Sequence, residues 1–130
     1  MGRLILVLLF FCNVTVVFSQ KVFSLYSPDN CLEVRINIGE KMEYSVWKGG
    51  ERLLCNSSLS MLLGDGQKWG HRALVRKIQR RKADRNISSP FYKKAHVKDC
   101  YNELELHFRG DYGVIFRAYN DGVAYRFIST

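Results

Sequence analysis

The sequence predicts an all-β protein, an antiparallel β-sandwich, and three observations carry this prediction. Residues 112–127 alternate apolar and polar side chains on both sides of an Asn120-Asp121-Gly122 turn, as expected of a β-hairpin. Residues 32–38 alternate without a break, and other short runs with turn signals between them follow at close spacing. No long segment has convincing helical periodicity.

The first half of the chain is predicted to be a series of short strands. We expect strands at residues 22–26, 32–38, 42–47, 52–55 and 58–63. The turns between them are expected at Ser27-Pro28-Asp29-Asn30, Gly39-Glu40-Lys41 and Lys48-Gly49-Gly50-Glu51. In the run 42–47, Met42, Tyr44 and Val46 share one face, which favours a strand with one face in the core.

The second half begins with the least regular part of the chain, residues 67–98. Residues 74–82 are a possible strand rich in charge, and residues 86–90 resemble a loop. Residues 103–109 alternate cleanly again, and Gly110-Asp111 then turns the chain into the hairpin. We expect Gly122 to supply the positive φ of the hairpin turn. The side chains expected to face the core are Leu104, Leu106, Phe108, Val114, Phe116, Ala118, Val123, Tyr125 and Phe127.

The hairpin and the strands before it resemble the N-terminal domain of glycoside hydrolase family 97. The resemblance rests first on Phe116-Arg117-Ala118-Tyr119 and on the residues 120–127 that follow. Weaker motifs lie in the order expected for the family, from Ser27-Pro28-Asp29 to Leu62-Leu63, so the resemblance spans residues 22–130. Members of this family are mostly secreted or periplasmic bacterial enzymes that act on α-glucosides or α-galactosides.

This resemblance implies that the chain is part of a β-supersandwich that precedes a catalytic (β/α)₈ barrel. The catalytic carboxylates of the family come from the barrel, and so do most ligands of a calcium ion near the active site. No catalytic, cofactor-binding or metal-binding residue is therefore assigned to this chain, which is expected to lack hydrolytic activity by itself. The expected partners are the barrel and carbohydrate.

A chain that forms only part of a supersandwich is expected to leave an unpaired strand edge and an uncovered apolar face. By itself it should be poorly stable, unless a partner or self-association covers that face. The alternative hypothesis, from a different class of function, is a stand-alone secreted β-sandwich that binds carbohydrate or another protein.

Residues 1–19 are predicted to be a secretory signal peptide, cleaved before Gln20, and residues 20–130 to be the domain itself. Arg3 gives a positive start, residues 4–12 are apolar, and Val17-Phe18-Ser19 fits a cleavage site. The apolar run is short for a membrane span, although an uncleaved anchor is the alternative. The chain is therefore expected to be secreted or periplasmic, with no membrane span after cleavage.

The formal net charge of +8 is concentrated in one region, because ten of the twenty Lys and Arg residues lie between positions 72 and 98. Such a cluster could bind the phosphates of a nucleic acid. A solvated strand and loop is the favoured interpretation, since a secretory signal removes the chain from nucleic acid. No nucleic-acid partner is therefore predicted.

The remaining candidate residues for chemistry give weak signals. After cleavage Cys31, Cys55 and Cys100 allow at most one disulfide, and small buried residues in strands are the favoured interpretation. The three histidines, His71, His96 and His107, share no metal-ligand spacing, and we expect His107 to be an ordinary surface residue.

Four residues and one tripeptide could be mistaken for functional sites. Glu103 and Glu105 share one face of a strand, and we expect both to point into solvent rather than to flank a glycosidic bond. Trp47 and Trp69 could stack on sugars, but aromatic residues in sheets are more often part of the core. Arg109-Gly110-Asp111 is expected to be a turn and not an adhesion motif.

Overall fold

The structure is a computed structural model that describes Thr15, residues 19–88, Pro90 and residues 96–130. The predicted signal peptide therefore lies almost entirely outside the described residues. The described residues form ten strands, which confirms the predicted all-β sandwich. They include no helix that could cross a membrane. The strands are β1 (Lys21–Tyr26), β2 (Leu32–Ile38), β3 (Met42–Lys48), β4 (Glu51–Leu59), β5 (Met61–Leu62), β6 (Lys68–Trp69), β7 (Val75–Ser88), β8 (His96–Phe108), β9 (Tyr112–Tyr119) and β10 (Gly122–Ser129).

Two antiparallel sheets of four strands each make up the sandwich. The first sheet has the order β1-β2-β3-β4, and the second has the order β10-β9-β8-β7. Strands β5 and β6 pair only with each other and form a short two-stranded ribbon. In the sequence this ribbon follows the first sheet and precedes the second. Because neighbouring strands in each sheet are consecutive in the sequence, short turns suffice to connect them.

The predicted β9–β10 hairpin is confirmed, but its turn differs from the expectation. Gly122 pairs with Tyr119, so the loop consists of Asn120 and Asp121, and Gly122 is already the first residue of β10. None of residues 119–122 has a positive φ, and the expected role of Gly122 is therefore wrong. Two glycines do take that conformation in the β3–β4 turn, where Gly49 and Gly50 have φ values of 57° and 82°.

The core lies between the two sheets and contains the residues that the alternation predicts on β8 and β9, whereas Val123 and Phe127 of β10 are only partly buried and Tyr125 is 45% exposed. Phe116 is completely buried, with its ring centroid 6.0 Å from that of Tyr44 on β3 and 5.7 Å from that of Tyr125 on β10. Inward residues of the two sheets thus interdigitate, as in other β-sandwiches. The core consists of Leu25, Val34, Ile36, Ile38, Met42, Leu59, Ala73, Leu104, Leu106, Phe108, Tyr112, Val114, Phe116 and Ala118.

The two sheets are offset, so that each has one strand without a facing partner. Strand β1 faces β8 and β9, and β2 faces β9. Strand β3 lies over β10, because the rings of Tyr44 and Tyr125 are 5.5 Å apart. The outermost strands β4 and β7 therefore lie largely beyond the facing sheet, and most of their residues are exposed, although Leu59 at the end of β4 belongs to the core. We call the two flanks of the sandwich the β4–β10 side and the β1–β7 side.

The irregular basic region is a long edge strand. Residues 75–88 pair with β8, with one irregularity between Val75 and Lys77. The predicted strand 74–82 is therefore too short, and residues 86–88 of the expected loop 86–90 belong to the strand. Because both faces of β7 are largely exposed, its sequence does not alternate between apolar and polar residues. Its many charges fit a sheet edge, since charged side chains hinder pairing with another chain.

Candidate functional site

Two carboxylates on the outer face of β8 form the centre of a buried polar cluster. Glu103 and Glu105 are only 4% and 7% exposed, so the expectation that both point into solvent is wrong. Long side chains from the neighbouring strands cover them, Arg81 from β7 and Arg117 from β9. We call Glu103, Glu105, Arg81, His107 and Arg117 the Glu103 cluster.

Every carboxylate in the Glu103 cluster has a cationic or hydrogen-bonding partner. Arg117 Nε donates to Glu103 Oε2 at 2.7 Å, and His107 Nε2 lies 2.7 Å from Glu105 Oε1. Arg81 Nη1 lies 3.4 Å from one oxygen of each glutamate. The hydrogen bond to Glu103 raises the pKa of the Arg117 guanidinium.

This arrangement does not suit glycoside hydrolysis. A glycosidase needs two carboxylates that flank the scissile bond, one of them free to donate a proton. Here both carboxylates lie on one strand and are occupied by arginines, so they stabilise the outer face of the sheet. The sequence did not indicate Arg81 and Arg117 as their partners; the only available signal was opposite charges on strands that pair.

Replacing Glu103 by alanine is expected to lower the free energy of unfolding by about 2 kcal/mol. The change leaves the partly buried Arg117 without its carboxylate, and losing one partner of a buried pair costs more than the pair contributes. Urea unfolding of the two proteins measures the difference. As a control, Asp84→Ala removes a carboxylate that is 71% exposed and should change stability by less than about 0.5 kcal/mol. Equal losses in the two variants would contradict a structural role for the Glu103 cluster.

The three histidines are far apart and do not form a metal site. His107 belongs to the Glu103 cluster and its side chain is 22% exposed, so it is more buried than a typical surface histidine. His96 Nδ1 lies 3.2 Å from Ser88 Oγ, and His71 bridges to Lys41 at the edge of the fold. No three His, Cys, Asp or Glu residues of the described chain come together as metal ligands.

The cysteines lie elsewhere than expected. Cys31 and Cys55 are exposed and Cys100 is half-buried, and all three are free thiols. The expectation of small buried residues is wrong for the first two. Cys31 follows the turn after β1, and Cys55 lies on the edge strand β4, where the facing sheet does not reach.

The two tryptophans have different environments. Trp69 stacks on Tyr112 with ring centroids 5.1 Å apart and is partly buried against the core, in line with the expectation. Trp47 lies outside the core, where the guanidinium carbons of Arg35 and Arg52 lie 4.2 and 4.8 Å from its ring centroid. A sugar that stacked on Trp47 would have to compete with these cation–π contacts.

The Arg109-Gly110-Asp111 segment is a three-residue loop between β8 and β9, because Phe108 pairs with Tyr112. Gly110 and Asp111 both have positive φ values, of 98° and 57°. This geometry agrees with the predicted turn.

The β4–β10 side exposes apolar residues along two strand edges. Leu53 and Leu54 of β4 are 57% and 38% exposed, and Tyr125 of β10 is 45% exposed. Both strands are the last in their sheets, so one row of backbone groups on each has no neighbouring strand. An open edge with apolar side chains is typical of an interaction surface.

Comparisons with known proteins agree on the relatives of this chain. A family model described as "Glycosyl-hydrolase 97 N-terminal" matches residues 25–130. The retaining alpha-galactosidase of Bacteroides thetaiotaomicron is 42% identical over 111 residues, which are 85% of this chain and 17% of that protein.

Solved structures show the same fold. A glycoside hydrolase family 97 enzyme from Pseudoalteromonas sp. strain K8, solved in complex with panose and with acarbose, matches 82% of this chain with a TM-score of 0.75 and 22% identity. A beta-arabinopyranosidase matches 81% with a TM-score of 0.73 and 26% identity. The chain spans 17% and 18% of the length of these two structures.

Proposed function

The chain belongs to the glycosyl-hydrolase 97 N-terminal family, and on this premise we propose that it is the N-terminal domain of a secreted or periplasmic glycosidase. In this role it packs against a catalytic barrel and supports carbohydrate binding. The chain by itself performs no hydrolysis. The observation that carries the proposal is the family match over residues 25–130, together with the small share of the enzymes that the chain represents.

Two features of the described residues support a role as a packing domain. The carboxylates of the Glu103 cluster are held by arginines, so they are not free to act as an acid and a nucleophile. The β4–β10 side offers apolar residues and two open strand edges, which suit burial against another part of an enzyme.

An α-galactoside is the substrate class that we propose for the whole enzyme. The support is the 42% identity with a retaining alpha-galactosidase, which is higher than the identity with the structural relatives. Export of the enzyme follows from the predicted signal peptide, residues 1–19.

A complementation experiment tests this function. The Bacteroides thetaiotaomicron enzyme is produced without the N-terminal segment that matches this chain, and hydrolysis of p-nitrophenyl α-galactoside is measured with and without the chain. We expect the chain alone to be inactive, and its addition to raise the activity of the shortened enzyme. Binding without any gain in activity would favour the alternative, a separate module that binds protein or carbohydrate.

The exposed leucines provide a matched pair of variants for the same assay. Leu53→Asp places a charge on the β4–β10 side and should weaken complementation about tenfold, since a charge buried at an apolar contact is costly. Leu74→Asp makes the same change at a leucine that is 48% exposed just before β7, and it should have little effect. Equal effects of the two changes would argue against packing through the β4–β10 side.

A further inference from the structure

A groove on the β1–β7 side is a separate feature of the domain. It has a volume of about 510 Å³, which lies in the range of pockets that bind small molecules. It runs between the end of β1 and the inward-facing side of β7, with residues of β8 between them. Its lining consists of Leu25, Tyr26, Asn30, Arg80, Lys82 and Asn102, together with the Arg81–Glu103 ion pair.

Two side chains in this groove are held in place by the backbone of β1. Arg80 Nη1 donates to the carbonyl oxygen of Ser24 at 3.0 Å, and Asn102 Nδ2 donates to that of Tyr26 at 2.7 Å. Since β1 is the last strand of its sheet, these carbonyls would otherwise face solvent. The groove therefore has polar groups whose positions are set before any ligand binds, which reduces the entropic cost of binding.

The groove also carries uncompensated positive charge. Arg80 bonds a neutral carbonyl, and no carboxylate of the described residues lies within 4.0 Å of Arg80 or Lys82. The neighbouring Arg81 differs, because it points to Glu103 and Glu105 on the other face of the sheet. Two neighbouring cations with free hydrogen-bond donors favour an anion, such as a carboxylate.

Two amides complete the lining. The NH₂ group of Asn102 donates a hydrogen bond to the carbonyl oxygen of Tyr26, and the side-chain oxygen of Asn102 remains available as an acceptor. Asn30 is exposed, with a φ of 59°, and its side chain has no hydrogen-bond partner among the described residues. Amide groups can both donate to and accept from hydroxyl groups, which a simple anion does not have.

We propose that this groove binds an acidic sugar of the uronic acid class. Arg80 and Lys82 hold its carboxylate, and Asn30 and Asn102 bond its hydroxyl groups. Leu25, buried at the floor, excludes water beneath the ring. The choice of a sugar rests on the proposed function of the domain, whereas the choice of an anion rests on the charges of the groove alone.

An NMR titration of the full chain tests this proposal with three probes: glucuronate, glucose and acetate. We expect glucuronate to bind and to shift the side-chain amide signals of Asn30 and Asn102. Glucose lacks the carboxylate and acetate lacks the hydroxyls, so each should bind about tenfold more weakly. Acetate that binds as tightly as glucuronate would overturn the sugar assignment, and glucose that does so would overturn the role of the cations.

Two charge reversals on β7 locate the binding. Lys82→Glu should weaken glucuronate binding at least about tenfold, because it replaces a cation of the groove with a carboxylate. Lys77→Glu is the matched control, since Lys77 is also exposed on β7 but pairs with His107, on the other face of the sheet. An equal loss in both variants, or no binding of glucuronate at all, would overturn the proposal. The titration needs no catalytic region, so its failure is distinct from a failure of the complementation assay.

Discussion

Replacing Phe116 by alanine is expected to lower the free energy of unfolding by about 3–5 kcal/mol, the range for loss of a fully buried phenylalanine. Phe116 has no exposed surface, and it contacts Tyr44 and Tyr125 from two other strands. The alanine variant loses the buried ring area and leaves a cavity where the two sheets meet. Urea unfolding, followed by tryptophan fluorescence, measures the change.

Phe23→Ala is the matched control for this change. Phe23 lies on the edge strand β1 and is only partly buried against the same core. The same truncation should therefore cost less there, about 1–2 kcal/mol, in proportion to the smaller area removed from water. If both variants lost the same stability, the centre of the core would not lie at Phe116.

The second large effect is expected at Gly70, where alanine should lower the free energy of unfolding by about 3 kcal/mol. Gly70 has a φ of 89°, a conformation that side chains with a Cβ rarely adopt. An added Cβ would also lie 2.2 Å from the carbonyl oxygen of Leu59. The backbone cannot move away freely, because Gly70 O accepts a hydrogen bond from Met42 N at 3.0 Å. Thermal unfolding, monitored by circular dichroism, measures the loss.

Gly64→Ala separates this local strain from the general effect of losing a glycine. Gly64 has no heavy atom within 4 Å of an added Cβ and no positive φ. Alanine there should be neutral or slightly stabilising, because it restricts the unfolded chain. A large loss at Gly64, or none at Gly70, would contradict the backbone geometry described above.

Alternation in the sequence predicted the strands that have one buried face. Strand β2 is the clearest case, since its residues alternate between buried and half-buried along the whole element. The β9–β10 hairpin could be predicted for the same reason, although Gly122 proved to be the first residue of β10 and not part of the turn. Strand β7 could be predicted only in part, because neither of its faces is covered and alternation disappears without a buried face.

The Glu103 cluster shows what a single strand does not reveal. The sequence correctly places Glu103 and Glu105 on one face of β8, opposite the core. Their burial depends on Arg81 and Arg117, which lie on two different strands and reach them only in the observed register. Pairing registers between distant segments are set by the whole sheet, so local patterns could not predict these ion pairs.

The offset of the two sheets has a consequence for how copies of this domain meet. On the β1–β7 side, Arg80 and Asn102 occupy the edge carbonyls of β1, and the cations of β7 repel a second copy. The β4–β10 side instead offers two free strand edges beside the exposed Leu53, Leu54 and Tyr125. A molecule with a single adhesive flank joins one neighbour and then stops, whereas two such flanks would allow an open-ended fibre. The occupied carbonyls and the charges of the β1–β7 side therefore disfavour the growth of a fibre through that flank.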